Sequence, residues 1–311
     1  MRKIAITVII VSCLFLGLYS FYQANSPKEL LYTDKWIAMG TFVEIISPDK
    51  RASHIVLNEL TRIEKLLSKY DRDSEIFQLN QKGRIKASPE TFYITRRALE
   101  FYSLSNGVFD ITIGPLSDLW GFTDKDYRVP SELKLKETLK LIGSDKIILR
   151  EKDNVIQFKL PKMKVDLGAV AKGFAVDCAV KRLKELGIES CLINLGGQVY
   201  CLGKKLSKPW RVAVRDPRGK GVSRYLRLTD KAVSTSAEYE QSFKAAAKEY
   251  GHIFDPKTGY PVQKELLSVT VVAPDSLTAD FLSTTIFALG KDEGEALAKN
   301  FDGVEVIIVK R

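Results

Sequence analysis

Apolar and polar positions along this chain recur in two rhythms, one near every second residue and one near every 3.6, and the changes of rhythm mark out its elements. Trp36–Ile46 alternates like a strand and contains Met39-Gly40-Thr41. From 52 to 69 the rhythm turns helical, with Ile55, Val56, Leu60, Ile63, Leu66 and Leu67 returning to one face. The polar stretch Lys69–Glu75 reads as a loop before Ile76. Ser88-Pro89-Glu90 opens a second helix to about Ser105, with Pro89 in the first turn, where its missing N–H costs nothing. Asn106-Gly107 breaks it, and the run Val108–Ile113 leads to Gly114-Pro115. A charged, helix-prone patch follows at 131–141, then strands near 146–150 and 155–160.

The sharpest junction is VDLGAVAKGFAVDCAVKRLKELG, residues 165–187. Val165 and Leu167 flank Asp166 in strand-like alternation, and Gly168 permits close backbone approach. From Ala169 the residues Val170, Phe174, Ala175, Cys178, Ala179, Leu183 and Leu186 recur at helical spacing, up to a C-cap at Gly187. Backbone N–H groups at such a helix start can hold an anion. Asp166 and Lys172 lie near that end, one able to accept ribose or amide hydrogens, the other to meet phosphate. Most strand–glycine–helix junctions bind nothing, and neither GxGxxG nor GxxxxGK[ST] is present.

Further strands are expected at Ser190–Asn194, Val199–Leu202, Trp210–Arg215, Tyr225–Leu228, Ala232–Thr235, Leu267–Val272 and Val304–Val309, with a helix over Leu277–Leu289 stopped by Gly290. Asp255–Gly259 is a turn by composition. Strands come in succession between helix pairs, so the pattern predicts an α+β fold rather than a βαβ array. No internal linker divides 29–311, which reads as one domain after a short leader, 1–28.

Composition changes that picture in three places. The run 4–22, IAITVIIVSCLFLGLYSFY, follows Arg2 and Lys3 and is close to the roughly 20 residues that span a bilayer. It is expected to be an export signal or uncleaved membrane anchor, with the bulk of the chain outside the cytoplasm. Lipidation at Cys13 ranks second, because the apolar run continues beyond it. The net charge of +10 favours anionic partners, but the charges look dispersed, with no basic stripe interleaved with aromatics, so nucleic acid is not expected. Cys178, Cys191 and Cys201 form no CxxC; Cys178 reads as core, and in an exported protein Cys191 could join Cys201.

Asp280 and Thr284, four apart on a helix, place two oxygens on one face, a hard donor set suited to Mg²⁺ with phosphate and water. Either could instead serve its own helix, as a cap or a bond to a backbone carbonyl. His252, in Gly251-His252-Ile253-Phe254-Asp255-Pro256, stands where a polar group can be presented to a cleft, although a lone His is more often structural. Asp110 and Asp255 are equally suited to turns or caps.

Taken together, MGT at 39–41, SKYDRDSEI at 68–76, GVFDITIGPLSDLWGF at 107–122, VDLGAVAKGFAVD at 165–177, NLGG at 194–197, HIFDPKTGYPV at 252–262 and SVTVVAPDSLTADFLSTT at 268–285 resemble the ApbE family of FAD:protein FMN transferases, in the family's order over nearly all of 33–311. The resemblance implies a T-fold-related α+β catalytic domain on the periplasmic face of the membrane. Its reaction would split FAD, link FMN through its phosphate to a Thr or Ser of an acceptor flavoprotein, such as a subunit of a membrane redox complex, and release AMP. It implies flavin or FAD contacts at Met39, Tyr70, Val108, Phe109, Asp110, Asp166, Lys172 and Phe254. Mg²⁺, or alternatively Mn²⁺, would sit near the Ala169 backbone oxygen, Asp280 and Thr284, with His252 and Asp280 catalytic. Ser234–Tyr239 departs from the family's T-S-G-[DE]-Y, with Ala237 in place of glycine. Two other readings use the same residues: an Mg²⁺-dependent FAD pyrophosphatase, and an FAD-binding module without turnover.

Overall fold

The strand expected over 36–46 is a hairpin in the structure, a computed structural model that describes residues 30–219, 221–237, 242–246, 248–262 and 266–311. The apolar run 4–22, Cys13 and all of 1–28, like Glu238 and Tyr239, lie outside the described residues. β1 (Tyr32–Ala38) and β2 (Thr41–Ser47) pair antiparallel with Ala38 opposite Thr41, so Met39 and Gly40 alone make the turn. Both have positive φ, 51° and 71°, as a two-residue turn that follows the strands' twist requires. The apolar Met39 hides that turn from a reading of alternation.

Next come α1 (Ala52–Leu67), α2 (Glu75–Lys82), β3 (Arg84–Lys86) and α3 (Pro89–Leu104). Ser74 and Ser88 cap α2 and α3 by accepting from the Phe77 and Thr91 N–H groups. The chain continues through α4 (Gly114–Leu119), α5 (Glu132–Leu139), β4 (Ile147–Arg150), β5 (Val155–Phe158) and α6 (Ala171–Glu185). Eight strands follow: β6 (Cys191–Leu195), β7 (Gln198–Leu202), β8 (Trp210–Arg215), β9 (Val222–Leu228), β10 (Lys231–Ala237), β11 (Ser242–Ala245), β12 (Lys248–Gly251) and β13 (Leu266–Ala273). α7 (Ser276–Leu289), α8 (Lys291–Ala298) and β14 (Glu305–Lys310) end the described chain.

Seven strands, in the order β1-β2-β6-β7-β10-β13-β14 and antiparallel at every pairing, form the central sheet. The pleat sends alternate side chains to opposite faces. Val43, Ile45, Ile193, Val269 and Val271 join the main core with apolar residues of α1, α6 and α7. On the other face Ile46, Leu192, Val199, Val233 and Val272 pack against Trp210 and Val212 of the two-stranded ribbon β8–β9. Helices and antiparallel strands thus make the expected α+β layers. Cys191 belongs to the first core and Cys201 to the second. Both are free thiols pointing to opposite faces of the sheet, so the pairing considered for them does not form. Among the described residues no helix is long and apolar enough to cross a membrane.

The contact of α6 with α7 positions the site. Asp275 accepts from Thr278 N–H at 2.8 Å, while Asp177 of α6 accepts from Ser276 and Leu277 N–H at 2.7 and 2.9 Å. Two carboxylates therefore meet the first-turn donors that a helix cannot satisfy itself. The helices touch at Gly173, where a Cβ would stand 2.4 Å from the Ser276 carbonyl oxygen.

The segment before α6 differs from expectation. Val165–Leu167 joins no sheet; Asn80 clamps Val165 through Val165 N–H at 2.7 Å and its carbonyl at 2.9 Å, and Asp166 N–H donates to Ile111 O at 2.7 Å. Residues 168–170 form a turn, so the helix starts at Ala171 rather than Ala169.

Candidate active site

At the hairpin end of the central sheet lies a cleft of about 1240 Å³. Its wall includes Met39 from the hairpin turn, Tyr70 from the loop after α1, and Val108, Phe109 and Asp110 from the loop after α3. The approach to α6 adds Asp166, Ala169 and Lys172; the segment after β12 adds His252 and Phe254; α7 adds Asp280 and Thr284. All twelve positions singled out in the sequence line this one cleft, although they come from six separate segments.

The loops are fixed by hydrogen bonds that are buried or partly buried. Met39 N–H donates to Glu64 Oε2 at 2.8 Å, tying the turn to α1. Asp110 Oδ1 accepts from the Thr112 N–H and hydroxyl at 2.7 and 2.6 Å and from the Ser144 hydroxyl at 2.7 Å. Burial pushes the Asp110 carboxyl above its ordinary value despite those donors. It organises the cleft wall as the cap of the turn Ile111–Ile113. Phe109 is only 4 % exposed and meets Phe101 and Phe281 edge-on, whereas Tyr70 is open to solvent. Phe254 is buried against Trp120 and Phe122.

Asp166 is paired with Lys69, 2.7 Å away, and accepts from Gly168 N–H at 2.9 Å and the Ser117 hydroxyl at 3.4 Å. Burial works against its charge, but Lys69 and these donors outweigh it and hold the carboxyl below its usual range. Burial likewise disfavours the Lys69 ammonium, and Asp166 overcomes that cost and raises it. A fixed ion pair therefore stands in the cleft. Lys69 lies inside the SKYDRDSEI motif, but nothing in the sequence marks it as a site residue, because only folding brings it to a carboxylate 97 positions away.

Asp280 is buried at the α6 contact. Its Oδ2 accepts from Gly173 N–H at 2.9 Å and its Oδ1 from the Ser234 hydroxyl at 3.4 Å. Burial pushes its carboxyl up to about 6, opposed by the charge of Lys172 and by these donors. A chain of hydroxyls links it to Thr284. Ser234 contacts Ser283 at 3.1 Å, Ser283 contacts Ser236 at 3.0 Å, and Ser236 contacts Thr284 at 3.2 Å. All three serines lie in stretches compared with the family, Ser234 and Ser236 within 234–239 and Ser283 within 268–285, but only folding brings β10 to α7 and joins them.

The family model described as the ApbE family matches residues 39–308. The chain belongs to the ApbE family. It is 34% identical over 255 residues to the FAD:protein FMN transferase of Haemophilus influenzae, covering 78% of this chain and 74% of that protein. It is 31% identical over 326 residues to that of Treponema pallidum, covering 96% and 90%. Among solved structures, the ApbE protein of Thermotoga maritima superposes with a TM-score of 0.84 at 33% identity, over 90% of this chain and 94% of that one. The flavin transferase ApbE of Vibrio cholerae gives 0.81 at 27% identity over the same shares.

In this ApbE-family chain a cation would meet one carboxylate rather than a cage. Among the described residues no three His, Cys, Asp or Glu side chains gather to hold a metal. Asp280 and the Thr284 hydroxyl share the cleft with Ala169, which lies ahead of the helix; Gly173 N–H turns to Asp280. One buried carboxylate with neutral oxygens suits a Mg²⁺ that takes its remaining ligands from phosphate and water.

Proposed function

We propose that the chain transfers the FMN part of FAD to a Thr or Ser hydroxyl of an acceptor protein in a Mg²⁺-dependent reaction and releases AMP, with Mn²⁺ as the alternative cation. The hydroxyl oxygen bonds to the FMN phosphorus, the bond from that phosphorus to the bridging oxygen breaks, and AMP leaves with the electron pair. One observation carries the reading: twelve positions matched from the family's motifs converge on one cleft in a chain whose relatives are named for this activity.

Each residue then has a task. Tyr70 offers an exposed ring edge or face to the flavin, and Met39 closes the hairpin side. Lys172, in the first turn of α6, places positive charge where the pyrophosphate becomes more negative. The Asp166–Lys69 pair supplies a fixed acceptor for ribose or amide hydrogens beside that turn. His252 stands in the cleft as the group to take the proton of the incoming hydroxyl. Asp280, Thr284 and the Ala169 carbonyl would hold the divalent cation, which when bound withdraws charge from the pyrophosphate and steadies the leaving phosphate.

The apolar run 4–22 supports a position on the extracytoplasmic face of a membrane, among acceptors such as subunits of membrane redox complexes. The test is mass analysis of an extracytoplasmic flavoprotein domain, prepared without flavin and incubated with FAD and Mg²⁺. Wild type should add one FMN to a Thr or Ser, and Asp280→Ala should lower the rate at least ~100-fold, the scale of losing one charge-stabilising contact in the transition state. Release of FMN and AMP without a modified protein would replace the transferase by a pyrophosphatase. Intact FAD held indefinitely would leave a binding module.

A further inference from the structure

The cleft is larger than its twelve matched positions need. Its volume of about 1240 Å³ exceeds the roughly 300–1,000 Å³ of ordinary small-molecule pockets. Beyond Thr41 and Thr235 it continues along the outer face of the central sheet, floored by Phe42, Glu44, Ile46 and Leu192. All five residues 211–215 of β8 form its wall. Consecutive residues lining one groove present a strand's edge rather than one pleated face. Among the described residues β8 pairs with β9 alone, so along 211–214 its second edge carries no backbone ladder among them.

The charge of this region is not dispersed, contrary to the sequence reading. Between 204 and 231 the chain has ten Lys and Arg against only Asp216 and Asp230, most of the net +10. Arg211 and Arg215 line the groove. Arg211 lies 3.6 Å from the centroid of the Tyr225 ring, which holds its guanidinium in place. The acid of the floor, Glu44, is paired with Lys35 at 3.5 Å, and Arg211, held over Tyr225, brings positive charge to the groove.

We infer that this groove receives the acceptor protein, as an extended segment with acidic residues near its Thr or Ser, laid as an added strand against the open edge of β8. The inference rests on the transferase reading, which requires a polypeptide hydroxyl to reach the Asp280 end of the same cleft. Three features favour a polypeptide. The groove is continuous with the reacting end, an open strand edge recognises main chain through its hydrogen bonds, and Phe42, 58 % exposed, offers an apolar seat for a side chain. Complementary charge would govern encounter with an acidic partner and would weaken with salt.

The experiment uses the full-length enzyme, FAD, Mg²⁺ and the flavin-free acceptor domain of the transfer assay. Arg211→Glu should raise KM for that domain at least tenfold at low ionic strength and less in 0.5 M salt, with KM for FAD and kcat at saturating acceptor within twofold of wild type. Arg182→Glu, on the solvent side of α6 where Arg182 pairs with Glu185 at 3.1 Å, should change neither. Amide exchange across 211–215 should slow when the acceptor domain is added. An unchanged acceptor KM, an unchanged exchange rate across 211–215, or a shift in KM for FAD instead would each overturn the assignment. Failure of wild type to modify any acceptor would count against the transferase itself, not against the groove.

Discussion

Asp177 shows how a single buried carboxyl ties the site to stability. It accepts from two N–H groups at the start of α7, yet burial pushes its carboxyl up to about 7. The ordinary value, 3.8, applies when the chain is unfolded, so between pH 4 and 7 the folded protein binds the proton more tightly. The resulting stabilisation is full below pH 4 and is lost as pH rises through about 7, an effect of about 4 kcal/mol at most. Thermal unfolding should therefore occur at lower temperature at pH 8 than at pH 5, and Asp177→Asn should remove part of that slope. Identical slopes in both proteins would show that Asp177 is ionised throughout. Asp177 closes the VDLGAVAKGFAVD motif, but nothing in the sequence says that it serves another helix. Asp280 and Thr284 were legible because their spacing puts both on one helical face. Ser234, Ser236 and Lys69 were not, since each meets its partner only through tertiary contact.

Among the elements, a strong apolar rhythm made most of the buried ones readable, and α5, with only Leu135 buried, was readable from its charged, helix-prone composition. α1, α3 and α7 match their sequence expectation closely, as do the buried strands β6, β7 and β13. α2 went unread because only Ile76 and Leu79 of its eight residues are buried. The hairpin β11–β12 gives no clear alternation because only Tyr250 of its eight residues is buried. Val165–Leu167 misled in the other direction: its alternation is real, but the backbone partners are the Asn80 side chain and Ile111 rather than a ladder. The element contact with most consequence is α6 on α7. Gly173→Ala would place a Cβ 2.4 Å from the Ser276 carbonyl oxygen and 2.9 Å from Asp280 Cβ. The helices must part, at a cost of about 1–3 kcal/mol by denaturant unfolding, and Asp280 must lose its bond from Gly173 N–H. Transfer activity should fall with stability; a variant as stable and as active as wild type would contradict this packing.

At the scale of the whole molecule, one antiparallel sheet carries the helical core on one face and the basic ribbon on the other, and the cleft opens at the end where the hairpin turn, α6 and α7 meet. The α+β class and the family were legible because the motifs keep their order along the chain, so many weak signals add. The gathering of net charge on 204–231 was countable in the sequence, but its meaning depends on β8 and β9 forming a ribbon beside the cleft. The most direct test of the account is a crystal structure with FAD and Mn²⁺, using the anomalous signal to locate the cation. The expected result is a Mn²⁺ peak against Asp280 and Thr284, with the pyrophosphate between it and Lys172 and the flavin beside Tyr70. A pyrophosphate lodged at Arg211 and Arg215, with no cation at Asp280, would contradict it.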